Sequence, residues 1–106
     1  MIPIGQVLDE GDRRHVRAIL GDPGEKSKAA RFLRESTFLD DGAAASFRAL
    51  PGAERERLIS DLIWRITCHV DGSITSVAGV DSFDLGGGFR AVLSEREGRE
   101  VFCLVR

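Results

Sequence analysis

The chain has 106 residues, of which 42% are hydrophobic and 30% charged, a composition that describes one globular domain and excludes a disordered tail. Its 15 Lys and Arg stand against 17 Asp and Glu, for a net charge of −2, and that balance argues against an indiscriminate nucleic-acid binder. No stretch approaches the roughly 20 apolar residues of a membrane span, and Met1-Ile2-Pro3-Ile4 lacks the basic start and long apolar run of a signal peptide, so a cytoplasmic protein is expected.

Met1 to Leu8 is short and apolar, an edge strand or a lead-in, with Pro3 and Gly5 opposing a long strand. Asp9 to Leu20 reads as a first helix, capped by Asp9 or Asp12, with Val16, Ile19 and Leu20 on one face and His15 beside them. Gly21-Asp22-Pro23-Gly24 is a break. Glu25 to Phe38 reads as a second helix, with Ala29, Phe32, Leu33 and Ser36 inward and Lys28, Arg31 and Arg34 outward. Asp40-Asp41-Gly42 interrupts again before a short helical piece from Ala43 to Leu50. Pro51 to Cys68 carries the clearest helical pattern: Leu58, Ile59, Leu62, Ile63 and Ile66 form a wide apolar face. Trp64 is expected to cover the core edge, and Asp61 with Arg65 to form an i, i+4 ion pair.

After Asp71-Gly72 the period changes from 3.6 to 2. Ser73 to Val77 alternates as a strand, and Val80, Phe83 and Leu85 belong to a connection or a second short strand. Phe89–Leu93 and Val101–Val105 are strands joined through Glu95 to Gly98, where Gly98 supplies the positive φ of a tight hairpin. The expected fold class is therefore α+β, with N-terminal helices packed on a small C-terminal antiparallel sheet.

Four constellations invite a chemical reading. Gly21 to Ser27 looks like a phosphate loop, but Glu25 separates the second glycine from the lysine, which breaks the required spacing. Gly86-Gly87-Gly88 opens no helix, so it reads as a chain reversal or bulge. Cys68-His69 with Asp71 and Cys103 matches no common zinc spacing, and no metal or cofactor is expected; the two thiols are expected to be reduced, with a bridge between them as the alternative. Asp40, Asp41, Asp81 and Asp84 sit where turns favour Asp for local reasons. With two His and no Tyr, the usual proton-transfer residues are scarce.

Two basic features remain. Arg90 lies in an otherwise apolar strand, where it faces solvent, pairs with Asp84 or Glu100, or lines a concave site; Arg106, at the end of the partner strand, shares its surface only if the register allows. Between Arg13 and Arg34 the cations Arg13, Arg14, Arg17, Lys26, Lys28, Arg31 and Arg34 outnumber Asp22 and Glu25. That surface is either solvated helix faces or a site for an acidic partner.

Gly88-Phe89-Arg90-Ala91-Val92, the hairpin behind it and the helices before it resemble the RelE/ParE superfamily of bacterial toxins over roughly Pro51 to Arg106. In that family two helices pack on a small antiparallel sheet, and a Gly-aromatic-Arg-hydrophobic strand follows the helical half. The resemblance implies a toxin-type module of a toxin-antitoxin system, acting on translation by mRNA cleavage or on another nucleic-acid process. It implies catalytic phosphate-binding roles for Arg90 and Arg106, and a protein partner (an antitoxin or a target) with RNA or the ribosome as a further one. The chain departs from the ribonuclease pattern in ending at Arg106 and in lacking Tyr or His near these arginines, and gyrase-directed members lack the ribonuclease residues as well. The alternative is a non-catalytic inhibitor or regulatory module that binds a protein through Arg13, Arg14, Arg17, Lys28, Arg31 and Arg34.

Overall fold

The computed structural model describes residues 1–21, 27–70 and 82–106. The strand expected at Ser73–Val77, Val80 and most of the Gly21–Gly24 break lie outside the described residues.

The chain starts with strand β1, Ile2–Pro3, and a 3-10 turn over Ile4–Gln6 that buries Ile4. Helix α1 spans Glu10–Leu20 and begins in a reciprocal capping box: Asp12 N–H donates to Asp9 Oδ1 at 2.8 Å, and Asp9 N–H to Asp12 Oδ2 at 3.1 Å. Val16 and Leu20 pack on the core, whereas Ile19, expected beside them, is 43% exposed. Helix α2 spans Lys28–Glu35, with Ser27 Oγ accepting from Ala30 N–H, and buries Ala29 and Leu33.

The second helix does not run to Phe38; it stops at Glu35, and Thr37–Leu39 form strand β2. The β-branched and aromatic pair Thr37-Phe38 favours a strand, and tertiary pairing decides the matter: β2 lies parallel to the last strand, with Thr37 opposite Phe102 and Leu39 opposite Leu104. Thr37 is fully buried, and its Oγ1 donates to the Phe32 carbonyl at 3.1 Å, which ties the end of α2 to the sheet.

Asp40, read as a break, caps α3 (Asp41–Ala49), accepting from Ala43 N–H at 2.7 Å. Helix α4 runs Gly52–Val70, two residues past the expected end, and its apolar face is buried as the spacing predicts. Trp64 does not cover the core edge; it is 65% exposed. Asp61 pairs with Arg57 at 3.4 Å rather than with Arg65, whose guanidinium instead lies 5.1 Å from the centre of the Phe83 ring.

Strands β3 (Ser82–Gly86), β4 (Phe89–Arg96) and β5 (Arg99–Val105) form an antiparallel meander. The β4–β5 turn places Glu97 and Gly98 at φ 53° and 79°, the two left-handed residues that a right-twisted two-residue hairpin requires. Among the described residues the sheet order is β1-β2-β5-β4-β3, so β5 is central. The fold is α+β: mostly N-terminal helices and a C-terminal meander, which β2 and β1 extend. Leu39, Leu85, Phe89, Ala91, Phe102 and Leu104, all of one strand parity, share a core with Ala29 and Leu33 of α2, Phe47 of α3 and Leu58, Leu62 and Ile66 of α4. The helices therefore pack on one face of the sheet. Among the described residues no helix is long and apolar enough to cross a membrane.

Candidate functional site

Alternation along β4 sends Phe89, Ala91 and Leu93 to the core and Arg90, Val92 and Ser94 to the face away from the helices. Asp84 of β3 and Val105 of β5 stand directly opposite Arg90. Arg90 makes neither expected ion pair. Its Nη2 donates to Ser82 Oγ at 2.8 Å, while Asp84 accepts the Gly86 N–H at 2.9 Å and Glu100 accepts from His69 at 2.8 Å. The exposed Arg90 side chain is thus held by Ser82 on the face away from the described helices.

Arg106 is on the other side. One residue beyond Val105, it takes the opposite parity, and its guanidinium lies 5.0 Å from the centre of the buried Phe89 ring. The register thus separates the two arginines that the resemblance joined as a catalytic pair. Arg106 caps the end of the core next to the triple-glycine turn, where Gly86, Gly87 and Gly88 all have positive φ (77°, 62° and 84°). A Cβ on Gly88 would stand 3.0 Å from Arg106 Nη2, at the end of an exposed side chain free to shift, so it is the positive φ that favours glycine there. Arg57 flanks the same turn: it donates to the Leu85 carbonyl at 3.4 Å and pairs with Glu54 and Asp61.

The arrangement around Arg90 suits binding. A guanidinium stays charged and offers fixed donors, which serve an anion or a carboxylate-bearing partner. Its neighbours Ser82, Val92 and Val105 supply no group that titrates near neutral pH, and the Asp84 carboxylate is engaged in its turn. The rest of the face carries Phe38, Val92 and the buried Val101 and Cys103, with Arg96 5.0 Å from the Phe38 ring centre. Both cysteines are free and buried, and burial, reinforced by the Asp40 charge, pushes the Cys103 thiol above its ordinary value.

The basic helical surface divides in two. On α1, Arg13 and Arg17 are committed to Glu10, at 3.8 and 3.5 Å, and Arg13 also donates to the Gly5 carbonyl; Arg14 is exposed. On α2, Arg34 is exposed, while Lys28 and Arg31 line a cleft of about 390 Å³ together with Phe32, Glu35, His69 and Arg99. His69 sits edge-on to Phe32 and packs against Phe102, with ring centroids 5.4 and 5.3 Å away. The spacing of these residues along the chain does not reveal this cleft, because Arg99 reaches Glu35 of α2 only once β5 takes the centre of the sheet.

No protein-family model, curated protein or solved structure gives a significant match to this chain.

Proposed function

We propose that the chain is a RelE/ParE-like toxin-type module that acts on a protein partner in a nucleic-acid process, by binding rather than by cutting RNA. The observation that carries this reading is the position of Arg90, held by Ser82 on the sheet face that carries no helix among the described residues, beside half-buried Val92 and Val105. The glycine-aromatic-arginine strand following a helical half accords with the family pattern, although three helices rather than two pack behind its sheet, and the face it presents combines a fixed cation with Phe38, Val92 and Val105. Interfaces favour that mixture of arginine and apolar surface. The separation of Arg90 from Arg106 speaks against the ribonuclease branch, which needs both at one phosphate. Induced expression of the chain is expected to arrest bacterial growth, and Arg90→Ala to relieve the arrest while leaving the circular dichroism spectrum and melting temperature of the protein unchanged. Harmless expression of the wild-type chain would sink the reading.

The alternative, a non-catalytic module using the basic helices, is favoured by one observation, which narrows it to α2. Lys28 and Arg31 lack ion-pair partners among the described residues, whereas two of the α1 arginines are already paired.

A further inference from the structure

We propose that the cleft between α2, the last turn of α4 and the start of β5 binds a phosphate ester of nucleoside-monophosphate size. Lys28 and Arg31 from α2 and Arg99 from β5 converge on it, and Glu35 is the one carboxylate that lines it among the described residues. None of the three cations forms an ion pair with a described residue. In a chain of net charge −2, a three-to-one excess of cations around one concavity is a local focus of positive potential.

The chemistry of the walls selects the ligand. Arg99 Nη2 donates to the Glu35 carbonyl oxygen at 3.5 Å, which braces it across the mouth and leaves its other N–H groups free for a second acceptor. Two guanidinium forks and an ammonium suit a terminal phosphate, whose three oxygens each take charge-assisted hydrogen bonds. The Glu100 carboxylate, the other acid of this region, is occupied by His69 at 2.8 Å and does not line the cleft. Phe32 and His69 add an aromatic wall, and bases stack on such walls without sequence preference. A volume of about 390 Å³ falls within the range of small-ligand sites.

This inference stands apart from the toxin-type reading, because its test involves no growth assay. Adenosine 5′-monophosphate is titrated into the full chain at low salt and followed by amide chemical shifts, with inorganic phosphate and adenosine as separate probes. The expected result is a saturable shift centred on Lys28, Arg31, Phe32, His69 and Arg99. Arg31→Ala and Arg99→Ala should each weaken binding about tenfold, the loss of one charge-assisted hydrogen bond, and Arg90→Ala should leave it unchanged. Both cleft arginines are exposed, so these variants are expected to keep the wild-type circular dichroism spectrum. Inorganic phosphate should bind the same residues more weakly, and adenosine more weakly still. The proposal is overturned if no saturable shift appears, if both variants bind as the wild type does, or if the nucleotide binds no more tightly than phosphate alone.

Discussion

Arg55 holds two helices together. It donates to Asp12 and Asp9 at 3.2 Å each and to the Leu50 carbonyl at 2.8 Å, so one guanidinium joins the start of α1 to α4. The Asp12 side chain is only 5% exposed, and a buried carboxylate without its cation is severely destabilising. Arg55→Leu is therefore expected to lower stability by about 3 kcal/mol in urea titrations, because the charge stays buried while its partner is lost. Asp9 provides a pH signature. The hydrogen bond from the Asp12 backbone, helped by Arg55, holds its carboxyl below the ordinary value of 3.8. A carboxyl depressed by folding contributes stability above its unfolded value, and that contribution is lost as pH falls through the folded one. The difference in melting temperature between wild type and Asp9→Asn should accordingly be constant near neutral pH and shrink below 3.8. Aspartate ahead of an apolar stripe marked this cap in the sequence, but nothing there connected it to Arg55, because the partners lie 46 positions apart and meet only through helix packing.

Local periodicity identified some elements and missed others for identifiable reasons. Helix α4 was legible because its five apolar residues repeat over several turns. The β4–β5 hairpin was legible because Gly98 sits between two apolar runs. Strand β2 was not, since three residues are too few to show a period, and their place in the sheet comes from pairing with β5 across the whole chain. Trp64 misled because the edge of an apolar stripe can face either way, and here it faces water. At the triple-glycine turn the sequence suggested a reversal; the structure adds that all three glycines take positive φ and that the Arg106 guanidinium lies against Gly88. Gly88→Ala is expected to destabilise the protein by about 1–2 kcal/mol, from the positive φ of 84°, as read by chemical denaturation.

At the scale of the molecule, the central feature is that the sheet has two unlike faces. One is packed under α2, α3 and α4; the other carries Arg90 over apolar strands with no helix on it among the described residues. The α+β class was readable from the change of period, and Arg90 was readable as a charge in an apolar strand. Its separation from Arg106 was not, because a shift of one residue in register moves a side chain to the opposite face. That separation gives the account its sharpest test. Growth is measured after matched induction of wild type, Arg90→Ala and Arg106→Ala, with folding checked by circular dichroism. Arrest by the wild type, relief by Arg90→Ala and arrest retained by Arg106→Ala are the expected results; full arrest by Arg90→Ala, or equal relief by both variants, would contradict a role for Arg90 that is separate from Arg106.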